Sequence, residues 1–269
     1  MFPVFKDNYS ADGLLARLKE FSAQLQDLVF PGRCLKCRQY TKRDTTLPFS
    51  DCFCPACLEK ELPFFLPPFC SQCGHVFASR TGENHLCGDC IKTDLPIGRV
   101  RAVFEYKGII REAIPLFKYH SKLCLASVLE AFLFKALESQ FSPGEIDSIL
   151  PIPLHGQKVR KRGFNQSFLM VRHFKSIHAR SHGENPCWTI DTRSLVRVRP
   201  TPSQTGLSIQ EREKNLNQAF RVRSGSSVAG KHILLVDDVY TTGATCKAAA
   251  KTLLKAGAGR VDALVLARA

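Results

Sequence analysis

The chain has 269 residues, 44% of them hydrophobic, and a formal net charge of +14 at pH 7. A chain of this size buries a full hydrophobic core and leaves room for a second, smaller domain. Charged residues interrupt the N-terminal region throughout, so it contains no apolar stretch long enough for a secretory signal or a membrane span. We therefore expect neither an exported nor a membrane-spanning protein.

The first predicted element is an amphipathic helix within residues 1–31, treated as a segment of its own. Pro31 and Gly32 would end this helix. Because the apolar repeat is short, we expect it to pack on the body of the same protein rather than on a membrane or in a coiled coil. Five residues recur at alternating spacings of four and three and share one helix face: Leu14, Leu18, Phe21, Leu25 and Leu28.

Cysteine dominates residues 32–97, the second predicted domain. Two Cys-x-x-Cys pairs supply the four thiolates of a tetrahedral zinc site, so four pairs predict two zinc ions in a double zinc ribbon. Gaps of sixteen and thirteen residues favour joining the first pair with the second and the third with the fourth. A cross-braced pairing, first with third and second with fourth, stays open. The eight predicted ligands are Cys34, Cys37, Cys54, Cys57, Cys70, Cys73, Cys87 and Cys90.

The expected compartment and the charge distribution limit what the cysteine-rich domain can bind. A disulfide framework would need an oxidising compartment and an export signal, so we expect zinc in a reducing cytoplasm. Residues 1–97 hold eleven Lys or Arg and eleven Asp or Glu, so the positive excess lies in residues 98–269. The balanced charge of the zinc region therefore gives it little electrostatic attraction for DNA. Its apolar run Phe64-Phe65-Leu66 favours a protein docking platform.

Residues 98–269 form the third predicted domain, with a strand at 100–106, helices at 109–117 and 125–140, and a short strand at 147–150. Prolines stiffen the chain that leaves the last of these strands, and four cations follow within five residues. Parallel sheets bind ligands beyond the carboxyl ends of adjacent strands, so the segment that follows the strand at 147–150 can hold a pyrophosphate. A solvated basic loop is the alternative. The residues assigned to the ligand here are Pro153, Leu154, His155, Lys158, Arg160 and Arg162.

The stretch 233–245 carries the strongest functional signal. Four apolar residues predict a strand covered on both faces, and Asp237 and Asp238 follow it. The turn at residues 241–245 and the helix expected after it would form an anion cradle, because turn amides and helix dipole are both positive there. Carboxylates suit the vicinal hydroxyls of a sugar, or a magnesium ion that accompanies a diphosphate. A ribose 5-phosphate fits this pattern, whereas a bare magnesium site leaves the threonine-rich turn unexplained.

Residues 234–245 resemble the phosphoribosyl diphosphate (PRPP) signature of type I phosphoribosyltransferases. Over nearly the whole chain, the sequence is similar to the ComF competence family of phosphoribosyltransferase-like proteins. Two departures from the family pattern are His120, where a glycine is usual, and Pro115 in the preceding predicted helix. The further matching stretches are residues 28–31, 117–119, 151–155, 162–166, 199–207, 211–215 and 219–220.

The resemblance implies a type I phosphoribosyltransferase fold, a mostly parallel sheet with helices on both faces, behind the double zinc ribbon. It implies that Asp237 and Asp238 contact the ribose 2- and 3-hydroxyls and that magnesium accompanies PRPP. It also implies a role in handling incoming single-stranded DNA during natural transformation, with a protein partner in the uptake machinery. The residues it places around the 5-phosphate are Thr241, Thr242, Gly243, Ala244 and Thr245, and Val239 is assigned to the ligand with them.

Three functions remain open at this stage. The first is a transferase that displaces pyrophosphate from PRPP with an unspecified nucleophile. The second is a single-stranded nucleic-acid-binding protein that uses the pocket without turnover, with basic residues at 160–162 on phosphates and Phe164 stacked on a base. The third makes the zinc module a protein docking platform, which is compatible with either. No motif specifies the acceptor of a transfer or the oligomeric state.

Overall fold

The computed structural model describes residues 32–41, 49, 52–119, 123–200 and 218–269. The helix predicted within residues 1–31, the departure at His120 and the family stretch 211–215 lie outside these ranges. The chain divides into two compact units, Met1–Lys60 and Glu61–Ala269. The second cysteine tetrad thus belongs to the same unit as the C-terminal sheet, and the domain boundary placed after residue 97 stays a prediction.

In the first unit, each Cys-x-x-Cys pair sits where the chain turns tightly. Strands β1 (Gly32–Arg33) and β2 (Tyr40–Thr41) pair antiparallel. In the turn between them, the amide of Cys34 donates to the Gln39 carbonyl at 2.8 Å, and the amide of Arg38 donates back to Cys34 at 2.9 Å. Helix α1 (Pro55–Glu61) begins directly after Cys54. These turns bring the thiols of each pair to one side, as a shared metal requires.

The second unit contains a five-stranded parallel sheet in the order β3-β9-β8-β4-β5, and a separate antiparallel pair, β6 with β7. A mostly parallel sheet was predicted, and the prediction is confirmed. The elements are α2 (Gly88–Lys92), β3 (Val100–Glu105), α3 (Gly108–Tyr119), α4 (Cys124–Gln140), β4 (Ser148–Pro151), α5 (Gly156–Arg162), α6 (Gln166–Leu169), α7 (Phe174–His182), β5 (Thr189–Ile190), β6 (Leu195–Arg197), β7 (Phe220–Val222), β8 (His232–Tyr240), α8 (Ala244–Lys255) and β9 (Arg260–Arg268).

Helices cover both faces of this sheet, so its central strands are apolar at successive positions. Ile233 and Leu235 of β8 belong to the core that α8 contributes to. Leu234 and Val236 alternate with them and are equally buried, so they point to the opposite face. Helix α4 packs on β3 and β9. Within the described part of the chain, none of the helices combines the length and the apolar character needed to cross a membrane.

Strand β8 is longer than the sequence predicts. The apolar run ends at Val236, but pairing with β9 continues to Tyr240 opposite Arg268. On the other side, β4 ends at Pro151 opposite Val236. The acidic pair therefore lies inside a strand with respect to β9 and beyond the end of a strand with respect to β4. This staggered edge positions the candidate site.

Candidate functional site

Asp237 and Asp238 lie at the carboxyl end of the sheet, just past the point where β4 ends. Only 8% and 4% of their surfaces are exposed. The amide of Ile152 still donates to the carbonyl of Val236 at 2.8 Å, after which the chain leaves toward α5. The two predicted ligand-binding stretches are thus adjacent at the carboxyl end of the sheet, as the rule for parallel sheets led us to expect.

Hydrogen bonds fix the carboxylate of Asp237. Ser167 Oγ in α6 donates to Oδ1 at 3.1 Å, and the backbone amide of Asp238 donates to the same oxygen at 2.9 Å. Burial, reinforced by the neighbouring Asp238 carboxylate, raises the pKa of Asp237 to about 7. This carboxyl group therefore titrates near neutral pH in the free protein, and an arriving cation would favour its ionised form.

Lys118 from the last turn of α3 balances the charge of Asp238. Its Nζ lies 2.7 Å from Asp238 Oδ1. Burial alone would lower the pKa of Lys118, but the attraction of Asp238 outweighs it and raises the pKa above its ordinary value. Asp238 Oδ2 is also buried, and it has no hydrogen-bond partner within the described part of the chain. Such an oxygen is costly to leave unpaired, and a ligand hydroxyl or a cation would satisfy it.

The turn at residues 241–245 connects β8 to the N-terminus of α8. Gly243 adopts a left-handed conformation, with φ of +74°, and its carbonyl accepts the amide of Lys247 at 2.8 Å. Thr242 Oγ1 accepts the amide of Ala244 at 3.4 Å. From the other side, Arg268 Nη1 donates to the carbonyl of Thr241 at 3.0 Å. The turn is therefore held at both ends beside a helix N-terminus, where an anion is favoured.

Gly243 cannot carry a side chain, because a Cβ built there would lie 2.1 Å from Tyr240 Oη. We expect Gly243→Ala to lower the free energy of unfolding by about 1–3 kcal/mol beyond the ordinary left-handed penalty and to distort the turn. Gly225 is the matched control, since it has the same φ of +74° and nothing within 4 Å of an added Cβ. Urea unfolding of both alanine variants measures the difference, and equal losses would contradict the close approach of Tyr240.

Positive charge gathers around the acidic pair from two further elements, α5 and β6. Lys158 in α5 has its pKa lowered by burial and then by the neighbouring cations Arg197, Arg162 and Lys118. Arg197 in β6 has its pKa lowered by burial, which Asp237 partly opposes. Like charges gather in this way at sites that receive an anion, because the anion relieves their mutual repulsion.

The remaining predicted ligand residues lie along the same exit from β4. His155 caps α5, where its Nδ1 accepts the amide of Gln157 at 3.3 Å, and Pro153 and Leu154 before it are half-buried. Lys158 and Arg162 are half-buried, and both Arg162 and Lys118 lie close enough to Lys158 to repel its charge. Arg160 is exposed. The assignment of all these residues to a ligand stays a prediction.

Sequence reasoning gave no role to Lys118, Ser167 or Arg197, although all three surround the acidic pair. Lys118 precedes Asp238 by 120 residues and Ser167 precedes Asp237 by 70, so only the folded chain brings them together. A signal was present, because Lys118 lies inside a stretch shared with the ComF family and Ser167 directly follows another. Arg197 lay outside every such stretch.

The eight cysteines assemble into two tetrads in sequential order, Cys34 to Cys57 and Cys70 to Cys90. Within each tetrad, all four sulfur atoms lie within 4.8 Å of one another. The measured Cys37–Cys54 and Cys73–Cys87 sulfur distances are both 3.7 Å. A tetrahedron with zinc–sulfur bonds of about 2.3 Å has edges of about 3.8 Å, so the donor sets fit zinc. The cross-braced alternative is not what the structure contains.

Backbone amides prepare one thiol of each tetrad for metal binding. Burial acts to raise the pKa of Cys34 and of Cys70, but hydrogen bonds from backbone amides lower both to about 6. In the second tetrad, the amide of Cys87 donates to Cys70 Sγ at 3.3 Å. Metals bind the thiolate form, so these amides favour the state that coordinates zinc.

Comparison with known proteins finds relatives of both the cysteine-rich segment and the C-terminal sheet. The sequence model of the double zinc ribbon domain matches residues 25–91, and that of the phosphoribosyl transferase domain matches residues 190–269. DNA utilization protein YhgH of Escherichia coli is 31% identical over 90% of this chain and 99% of its own length. Competence protein ComFC of Bacillus subtilis is 27% identical over 87% and 94%. A solved adenine phosphoribosyltransferase covers 57% of this chain and 75% of its own, at 18% identity and a TM-score of 0.32.

Two cysteine tetrads with zinc geometry, the acidic pair at the carboxyl end of a parallel sheet and a relative that is 31% identical over 90% of this chain all agree. The resemblance seen in the sequence is thereby confirmed. The chain belongs to the ComF family, in which a double zinc ribbon precedes a phosphoribosyltransferase-like domain.

Proposed function

We propose that this protein binds PRPP or a related ribose phosphate, with magnesium, and that it acts in the cytoplasm in the handling of DNA during uptake. The observation that carries the ligand proposal is the buried acidic pair, with one carboxylate oxygen unpartnered in the described part of the chain. Related proteins bear the names DNA utilization protein and Competence protein F, and these names support the proposed process.

Each part of the ligand has a chemically suitable counterpart at the site. The ribose hydroxyls would donate to Asp237 and Asp238, whose carboxylates are held in place by Ser167 and Lys118. The 5-phosphate would lie on the turn at residues 241–245, at the N-terminus of α8. The diphosphate would face the cations of α3, α5 and β6. Magnesium, when bound, would neutralise part of the diphosphate charge and favour oxygen ligands such as the buried carboxylates.

Lys118 would act as a counterion that changes partner. In the free protein it neutralises Asp238 at 2.7 Å. When the ribose hydroxyls and a magnesium ion arrive, the ammonium group is no longer needed there, and the nearby diphosphate offers it a stronger charge. The exchange keeps a buried carboxylate from remaining uncompensated at any stage, which would be strongly unfavourable.

Titration calorimetry with magnesium and PRPP tests the ligand. We expect Asp237→Asn with Asp238→Asn to weaken binding by more than about 100-fold, because two charged hydrogen-bond acceptors are lost. Glu184→Gln changes an exposed carboxylate and should leave the affinity unchanged. Equal heats from the wild type and the double variant would show that the ligand does not bind at the acidic pair.

The pH dependence of PRPP binding is a second test of the same site. Asp237 has a pKa of about 7 in the free protein and must be ionised to hold a metal-bound ribose. Affinity should therefore fall by up to about tenfold per pH unit below 7 in the wild type. The single variant Asp237→Asn should lose this part of the dependence, whereas the titration of the ligand's own phosphates affects both proteins equally.

A transformation assay tests the process. In a transformable strain without its own copy of this protein, the wild type should restore DNA uptake, and the double aspartate variant should fail at equal protein level. A variant that restored uptake without binding PRPP would separate the process from the pocket and contradict the proposal that joins them.

A further inference from the structure

Three side chains that commonly bind metals meet at one place away from the acidic pair and the cysteine tetrads. Glu138 comes from α4, and His178 and His182 come from α7. One donor atom of each lies within 4.8 Å of the donors of the other two. The ring of His178 is half-buried, and the other two side chains are exposed.

The distance between the His182 and Glu138 donor atoms suits a first-row transition metal. His182 Nε2 lies 3.4 Å from Glu138 Oε1. Metal–nitrogen and metal–oxygen bonds of about 2.0–2.1 Å in a tetrahedron place neighbouring ligand atoms about 3.4 Å apart. His178 and His182 are four residues apart on one helix, so both rings project from the same helix face. Their stacked centroids are 4.3 Å apart.

Surrounding contacts hold the two imidazoles in place. The ring of His178 packs edge-on against Phe134 and Trp188, at centroid distances of 6.4 and 6.0 Å. His182 Nδ1 lies 3.3 Å from the carbonyl oxygen of His178, so this nitrogen donates its proton there. The proton on Nδ1 leaves the lone pair of a neutral ring on Nε2, toward Glu138. A ring nitrogen that donates to a carbonyl is the usual arrangement in histidines that bind metals.

An ordinary interhelical ion pair explains this cluster less well. A pair between His182 and Glu138, 3.4 Å apart, does not involve His178, although a donor atom of His178 lies within 4.8 Å of both. A cation shared by all three side chains would bind every member of the cluster. The same two helices already have a conventional pair, in which the buried Glu130 accepts the amide and Nδ1 of His173 at 2.6 and 2.9 Å.

We propose that Glu138, His178 and His182 bind one divalent transition-metal ion of the zinc class, distinct from the two ions of the cysteine tetrads. Two imidazoles and a carboxylate are donors that zinc, cobalt, nickel and copper accept, and water would complete the coordination. The bound ion would join α4 to α7 at the C-terminal end of α7. Because its ligands are largely exposed, the ion would exchange with solvent far more readily than the structural zinc ions.

Metal titration tests this site on the full chain with both cysteine tetrads filled. Cobalt is added in competition with a chromophoric chelator, and the wild type should bind one further equivalent. His178→Gln and His182→Gln should each weaken this equivalent by at least about tenfold. His173→Gln is the matched control, because it removes a histidine from the same pair of helices without removing a proposed ligand, and it should leave the equivalent intact.

The spectrum and the thermal stability provide independent readings. Cobalt bound by nitrogen and oxygen should show weak ligand-field bands without the intense thiolate charge-transfer bands of a cysteine site, which also excludes the exposed Cys187 as the ligand. The ion should raise the melting temperature of the wild type and of His173→Gln, but not of His182→Gln. Absence of a further equivalent in the wild type, or its retention in both ligand variants, would overturn the proposal.

Discussion

Replacing Asp262 by asparagine should lower the free energy of unfolding by about 2–4 kcal/mol, because a buried carboxylate loses its charge and with it the ion pairs to Arg99 and Arg260. Asp262 in β9 is completely buried. Its Oδ2 lies 3.0 Å from His232 Nε2 and 3.1 Å from Arg99 Nε, and its Oδ1 accepts the backbone amide of Arg99 at 3.0 Å. Asparagine keeps the volume and one oxygen but removes the charge, so the loss reports the electrostatic part.

The chain approaches Asp262 so closely that its neighbour must be a glycine. A Cβ built on Gly98 would lie 2.6 Å from Asp262 Oδ1. Gly98 is the residue at which the sequence suggested a domain boundary, and its amide donates to the carbonyl of Val261 at 2.9 Å. The carboxylate therefore fixes the start of β3 against β9 at the amino edge of the sheet.

Arg260→Gln is the control within the same network. Arg260 pairs with Asp262 at 3.1 Å, but its side chain is 47% exposed, so its removal should cost no more than about 1 kcal/mol. Urea unfolding at neutral pH, with the slope compared among the three proteins, measures both effects. A loss below about 1 kcal/mol for Asp262→Asn would show that the pair between Arg99 and Glu145 compensates for the missing charge.

The features that could be predicted from the sequence are those whose geometry is determined by residues close together in the chain. The Cys-x-x-Cys spacings predicted two tetrads, and the apolar run before Asp237 predicted a strand covered on both faces. Both depend on local geometry, since a tight turn joins two thiols and a covered strand needs no alternation. The place where that strand ends could not be predicted, because it depends on how far β9 and β4 each extend beside it.

The surroundings of the acidic pair depend on contacts between distant segments. Pro115, one of the two departures from the family pattern, lies inside α3, yet the helix continues to Tyr119 and brings Lys118 to Asp238. The sequence shows that a lysine is present, but only the packed helix shows which carboxylate it meets. The same holds for Glu138 and the histidines of α7, which are separated by 40 residues or more.

Loss of zinc from the second tetrad should damage the phosphate turn as well as the ribbon. The ribbon segment contacts the sheet through backbone carbonyls: Gln72 accepts the amide of Val100 at 2.6 Å, and Cys73 accepts Arg268 Nε at 3.4 Å. The same guanidinium donates to the carbonyl of Thr241 at 3.0 Å. Arg268 therefore joins a zinc-bound turn to the turn proposed to hold the 5-phosphate.

We expect Cys73→Ser to unfold the ribbon segment and to weaken PRPP binding by about tenfold or more, because structural zinc supplies several kcal/mol to small domains that cannot form a core alone. Zinc content, the melting temperature and titration calorimetry measure the three effects. Cys37→Ser removes a ligand from the first tetrad, which belongs to the other compact unit, and serves as the matched control.

The control variant should lose one zinc ion and retain its affinity for the ligand. Arg268→Gln separates the connection from the metal, since it leaves both tetrads intact but removes the donor to Thr241. If Arg268→Gln weakens binding as Cys73→Ser does, while keeping two zinc ions, the effect of the metal passes through this guanidinium. Full affinity in both variants would mean that the turn is held by β8 and α8 alone, and that the second zinc ion serves only the ribbon.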